Sequence, residues 1–346
     1  MKLTINEIFT NASKLMGSDI HLVAGRPPIA RVDGVLTPLY QENLTPEDIY
    51  ALCFGILSDA QKGELEREKE LDFSYHIDGI GRFRVNLHWE KQSLGLVARI
   101  ISAHIPTMEE IGMPPIGYSL ARLHDGLILV TGPAGCGKST TLAAMINMIN
   151  VERNEHVITM EDAIEFVYQH NKSVIKQREL GTDFLTFQSA LKHVLRQDPN
   201  VILVGEMRDL ETTAATLTLA ETGHLVMTTL HTFDAAQTID RIIDIFPPYQ
   251  QQQIRLQLSI SLRGIMTQKL LPRVGGGRVA AREILVNTPA VANLIRQNKI
   301  SQIQSTIQTS AKEGMITMDT AIAELYKRKL ISKETAFSYI ENKGTL

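Results

Sequence analysis

Gly132-Pro133-Ala134-Gly135-Cys136-Gly137-Lys138-Ser139-Thr140 is the stretch whose reading decides the fold. It follows the apolar run Leu127-Ile128-Leu129-Val130 and leads into Thr141-Leu142-Ala143-Ala144-Met145-Ile146, so a buried strand turns through glycines into a helix. The Gly-x-x-x-x-Gly-Lys-Ser pattern in that context is a phosphate-binding loop. Its glycines let backbone N–H groups curl around anionic oxygens, and the helix start adds its positive dipole end. Lys138 is spaced to reach the β- and γ-phosphates, and Ser139 offers a hydroxyl to Mg²⁺. Cys136 reads as a small spacer. The pattern implies a bound nucleoside triphosphate.

Downstream, apolar strand cores at 127–131, 157–160, 201–204 and 225–229 alternate with helical stretches at 139–150, 184–197 and 209–221. That alternation predicts an α/β domain with a parallel sheet, whose ligands gather at the C-terminal strand ends. Polar residues follow these strands: Glu161-Asp162-Ala163-Ile164-Glu165 after the second and Gly205-Glu206-Met207-Arg208-Asp209 after the third. Hydrolysis of a triphosphate needs a metal to neutralise phosphate charge and a carboxylate to orient or deprotonate water. Glu165 is assigned to the water, with Glu161 as second choice, and Glu206 to the metal, directly or through a water. His224 and His231 bracket the fourth strand, too far apart along it to converge on zinc. Each reads either as a sensor of the γ-phosphate or as a satisfied core histidine. Beyond Pro247-Pro248 the pattern predicts helices at roughly 248–270, 289–297, 301–309, 318–329 and 332–341, with a strand near 279–286.

Upstream, a helix over 5–16 precedes strand-like runs at 20–23, 29–32 and 35–36, the last two joined by the hairpin signal Asp33-Gly34. Thr45-Pro46-Glu47-Asp48 marks a helix start. Further strands at 71–77, 83–88 and 94–101 complete a small α+β domain. Three prolines and a Thr107/Glu110 capping-box spacing punctuate 102–117, which predicts a linker or hinge. The division is therefore 1–101, 102–117 and 118–346.

The 346 residues carry 35 Lys and Arg against 38 Asp and Glu, a near balance that gives no reason to expect nucleic-acid binding. No apolar run approaches the roughly eighteen residues of a membrane span, and the start lacks a signal-peptide core, so a soluble cytoplasmic protein is expected. Two cysteines, Cys53 and Cys136, exclude a disulfide framework.

GPAGCGKSTT, ITMEDAIEF, VILVGEMRDLET and ETGHLVMTTLHT, in that order, resemble the Walker A, Asp box, Walker B and His box of the type II/IV secretion ATPase superfamily. GSDIHLVAGRPPIARVDG, GIGRFRVNLHWE, TIDRIIDIFPP, GGGRVAAREIL and EGMITMDTAI extend the resemblance to the type IV pilus retraction ATPases and their accessory relatives. The resemblance implies a PAS-like N-terminal domain, a RecA-like P-loop NTPase domain with a helical C-terminal extension, and a homo-hexameric ring. It implies ATP with Mg²⁺, and hydrolysis that powers pilus disassembly against an inner-membrane platform protein. ATP would lie between the domains and draw them together across 102–117. The whole loop Gly132 to Thr140 would hold nucleotide, His224 and His231 would couple it to ring geometry, and Arg82, Arg84 and Arg99 would approach a nucleotide at a subunit interface. Departures are Ala163 for the usual proline of the Asp box, Asp125 where an arginine is common, and Ala292 for an arginine in a C-terminal motif. Alternatives are an accessory retraction motor, an assembly ATPase, a nucleotide-gated subunit without useful turnover, and a nucleic-acid translocase.

Overall fold

The computed structural model describes residues 3–32, 34–101 and 104–345, in two compact units, Met1–His104 and Ile105–Leu346. In the first unit the helix α1 (Ile5–Lys14) starts at a capping box formed by Thr4 and Glu7 and buries Ile5, Ile8, Phe9 and Ala12 at helical spacing. The strands β1 (Asp19–Leu22), β2 (Ile29–Val32) and β3 (Val35–Pro38) follow, then α2 (Pro46–Phe54), α3 (Asp59–Glu68), β4 (Glu70–Ile77), β5 (Gly81–Glu90) and β6 (Ser93–Ile101). All strands join one antiparallel sheet in the order β3-β2-β1-β6-β5-β4. Phe9, Phe83, Leu87 and Leu96 fill its core. The helix α3 had no periodic signature, because only Leu65 is buried along it; its start is set by Ser58 and Gln61 capping each other. Asp33 of the hairpin signal lies outside the described residues, although β2 and β3 do pair through Val32 and Val35.

The second unit opens on residues that composition marks as a linker. Residues 102 and 103 lie outside the described part, and the remainder packs inward: Met108 and Met113 are buried in the core beside the parallel sheet. Thr107 and Glu110 exchange hydrogen bonds of 2.7 and 3.2 Å, but they close a turn that does not continue as a helix. The elements then run α4 (Pro115–Ala121), β7 (Gly126–Thr131), α5 (Lys138–Glu152), β8 (His156–Glu161), β9 (Val174–Glu179), α6 (Phe187–Val194), β10 (Val201–Val204), α7 (Leu210–Glu221) and β11 (Leu225–Leu230). After them come α8 (Ala235–Asp244), α9 (Pro248–Ser261), β12 (Leu262–Pro272), β13 (Arg278–Val286), α10 (Pro289–Arg296), α11 (Ile303–Thr309), α12 (Met318–Lys327) and α13 (Lys333–Tyr339).

Seven strands in the order β13-β12-β7-β11-β10-β8-β9 form the sheet, parallel throughout except for β13, which pairs antiparallel with β12. The inner strands β7, β10 and β11 are buried along their whole length, as helices on both faces require. The helix expected over 248–270 stops at Ser261, and 262–272 is a strand. Its Leu, Met, Gln and Lys residues tolerate a helix, but the slot between β7 and β13 satisfies the backbone and buries both faces, and that pairing overrides propensity. Gly264 marks the fit, since a Cβ there would meet a Leu120 methyl at 2.9 Å.

Candidate nucleotide site

The loop between β7 and α5 has the backbone its sequence demands. Gly132 and Gly137 sit at φ 139° and 88°, conformations that a Cβ disfavours. At Gly132 a Cβ would also collide with the carbonyl oxygen of Gln268 on β12. Gly137 is the N-cap of α5 and brings no side chain to it, so the N–H groups of the first turn have no side-chain acceptor and face the loop mouth. Cys136 is buried, its thiol pushed up by that burial, in keeping with a spacer.

Lys138 begins α5 and is buried, with its Nζ donating to the carbonyls of Gly132 at 2.8 Å and Pro133 at 3.0 Å. Burial pulls its pKa down, against the attraction of Glu206 and Glu165 among others. His231, just past β11, lies with Nδ1 3.3 Å from Lys138 Nζ and Nε2 3.6 Å from Glu206 Oε2. Glu206 leaves the end of β10 and accepts from Arg208 Nε at 2.7 Å. Burial works to raise its carboxyl, but Arg208 and His231 together hold it below the usual range. Arg208 also lies 3.8 Å from Asp162. A cavity of about 370 Å³ opens beside this cluster, lined by Glu206, Arg208, His231, Thr232, Gln237 and Arg241 among others.

Glu161, the last residue of β8, and Glu165, four residues beyond it, have opposite surroundings. Glu165 is exposed. Glu161 accepts from Thr159 Oγ1 at 2.6 Å and Gln177 Nε2 at 3.3 Å, and burial pushes its carboxyl up to about 7. Ala163 follows a cis peptide bond from Asp162, and the segment retains its three carboxylates.

The structure thus brings Lys138, His231 and Glu206 into one cluster, with the segment of Glu161 and Glu165 on the neighbouring strand end. His224 is elsewhere. It lies at the start of β11, the opposite end of the sheet from the loop, and its Nδ1 sits 3.2 Å from the Leu219 carbonyl in the last turn of α7. Six residues of strand put it roughly 20 Å away. The sequence already set the two histidines at opposite ends of one strand; the strand's direction puts His231 at the end that carries the loop. Arg82, Arg84 and Arg99 lie in the first unit, on β5 and β6, where Arg84 and Arg99 are cross-strand partners and Arg99 bonds Asp19 at 3.1 Å. Asp125 engages Arg263 of β12 at 2.5 Å. Sequence reasoning passed over Arg208, although its place two residues beyond Glu206 was a usable signal. It had no way to find Gln268, which lay in an expected helix.

A glycine-rich loop at the end of an inner strand of such a sheet defines a RecA-like ATPase domain. The type II/IV secretion system protein family matches residues 1–276. The type IV pilus retraction ATPase PilT of Pseudomonas aeruginosa is 46% identical over 96% of this chain and 97% of its own length. The type IV pilus ATPase PilU of the same organism is 39% identical over 95% of this chain and 87% of its own. Among solved structures, the crystal structure of the pilus retraction motor PilT with bound ADP superposes with a TM-score of 0.93 at 46% identity, covering 99% of each chain. The chain belongs to the type II/IV secretion system protein family, and within it to the pilus retraction ATPases.

Proposed function

We propose that this chain is an ATP hydrolase whose turnover drives retraction of a type IV pilus. The observation that carries the reading is the cluster at the strand ends: the first-turn amides of α5, Lys138, Glu206 and His231 converge beside the phosphate loop. Amides of Gly135 to Ser139 and Lys138 would hold the β- and γ-phosphates. Among the described residues no group of three or more His, Cys, Asp or Glu could hold a metal unaided. Mg²⁺ characteristically binds through one or two protein oxygens, waters and the nucleotide's own phosphates, and Ser139 with Glu206 fits that role. The metal would offset charge on the phosphates. Glu165 orients and deprotonates the attacking water, and its exposure leaves it reachable by that water. His231 links the γ-phosphate end of the site to Glu206. Homo-hexamer formation, an inner-membrane platform partner, and service of a neighbouring copy's nucleotide by Arg82, Arg84 and Arg99 complete the proposal.

Steady-state hydrolysis by the purified protein tests it. Lys138→Ala is expected to abolish nucleotide binding, and Glu165→Gln to keep binding while slowing turnover by about 10²- to 10⁴-fold. Full turnover by Glu165→Gln would transfer the water to Glu161. An accessory role like that of PilU is the second reading, favoured by Ala292 in place of an arginine. Complementation of strains lacking either motor separates the two.

A further inference from the structure

One buried side chain touches the phosphate loop from outside its motif. Gln268, on β12, is 1% exposed. Its Nε2 donates to the Cys136 carbonyl at 2.9 Å, and its Oε1 accepts from Thr141 Oγ1 at 2.9 Å. Its backbone carbonyl oxygen is the nearest atom that a Cβ at Gly132 would strike, ahead of the Cys136 sulfur. One residue therefore meets the loop at its entry, near its crest and in the first turn of α5.

The polarity of these bonds is determined by the partners. The Cys136 carbonyl can only accept, so the carboxamide must turn its NH₂ toward it and its oxygen toward Thr141. The Thr141 hydroxyl must then give its proton to Gln268, which leaves its lone pairs to accept from Arg282 Nη2, 3.5 Å away. Arg282, on β13, is 4% exposed and anchors its Nη1 on the Ile111 and Gly112 carbonyls at 3.0 and 3.3 Å. A guanidinium cannot accept, so the chain Arg282–Thr141–Gln268–Cys136 runs in one direction only. The Cys136 carbonyl and the Gly137 N–H belong to one planar trans peptide and point opposite ways, so aiming that carbonyl at Gln268 turns the Gly137 amide away from β12, toward where phosphate oxygens would sit.

We propose that Gln268 is a positioning residue of the nucleotide site, which holds the phosphate loop in its anion-binding shape before nucleotide arrives. The assignment rests on the proposed function, and it adds a residue outside every nucleotide-binding motif of the chain. Gln268 acts through the Cys136 carbonyl and the Thr141 hydroxyl and touches no nucleotide atom itself. A loop without this brace samples other backbone conformations and must be ordered on binding, so the loss falls on affinity.

The test is titration of the full-length protein with fluorescent ADP and Mg²⁺. Gln268→Leu is expected to weaken binding at least tenfold, and so is Thr141→Val, which keeps the shape and loses the hydroxyl. Thr141→Ser, which restores the hydroxyl, should recover the lost affinity. Melting of each variant with and without ADP separates a braced loop from a damaged core: a parent-like melting temperature without nucleotide shows an intact core, and ADP should raise the melting temperature of the parent more than that of Gln268→Leu or Thr141→Val. Parent-like ADP affinity in Thr141→Val would overturn the proposal, even if Gln268→Leu failed to fold. A parent protein that bound no ADP would overturn the function itself, a result distinct from equal binding by parent and variants.

Discussion

His231 stands between a cation and an anion, Lys138 on one ring nitrogen and Glu206 on the other. With the lysine charged, Nδ1 is the accepting nitrogen and Nε2 carries the proton toward Glu206, the only neutral tautomer that suits both. His231→Gln, which retains hydrogen bonding but cannot face both partners in the same geometry, should lower turnover by tenfold or more with little change in ADP affinity, read by steady-state kinetics beside a binding titration. Glu161 supports a different experiment. Its carboxyl is pushed up to about 7 by burial, above the ordinary value of 4.5, so the folded protein holds a proton there that the unfolded chain has released. Stability from this group is therefore largest at acidic pH and falls as pH rises from about 4.5 through 7. Denaturant titrations should show Glu161→Gln relatively more stable than the parent at pH 8 than at pH 5, by roughly 1–3 kcal/mol. Identical pH profiles would mean that the carboxylate is solvated.

Elements behave as their neighbours require. The loop and α5 were legible because glycine, lysine and serine must occur at fixed spacing for a backbone to surround phosphate. The strands β7, β8, β10 and β11 were legible because burial on both faces leaves short, mainly apolar runs, broken only by Thr159 in β8 and by Thr228 and Thr229 in β11. The strand β9 was not: Val174-Ile175-Lys176-Gln177-Arg178-Glu179 is an edge strand, mostly polar, and its partner β8 supplies the order. The helix α8 was passed over too, since its amphipathic pattern begins close behind the His231 segment. Its N-terminus is held by Glu283 of β13, a buried carboxylate accepting from the Ala235 amide at 2.9 Å, with burial raising its pKa. Glu283→Ala leaves that amide without its acceptor and should cost about 1–3 kcal/mol in thermal or chemical unfolding. A change below a few tenths would mean that water replaces the carboxylate.

At the scale of the whole molecule, each unit has a core of its own, one beneath an antiparallel sheet and the other on both faces of a parallel sheet. The boundary at His104 falls inside the proline-punctuated stretch, but proline content could not tell that Met108 and Met113 belong to the second core. Calorimetry of the full chain should resolve two transitions. Leu96→Ala, which removes a side chain 1% exposed in the first core, should lower one of them at a cost of about 2–5 kcal/mol and leave the other unmoved. A single transition shifted as a unit would show that the cores unfold together.

The ammonium group of Lys138 already has partners for its three N–H donors, two carbonyls of its own loop and Nδ1 of His231. Incoming phosphate therefore exchanges partners with the lysine rather than rescuing a stranded charge, and only the difference between the two arrangements goes into holding nucleotide. The same two oxygens are ready to take the lysine back when phosphate leaves. A machine that must repeat its stroke depends as much on letting go as on grasping, and the loop keeps its own replacement for the spent ligand within reach.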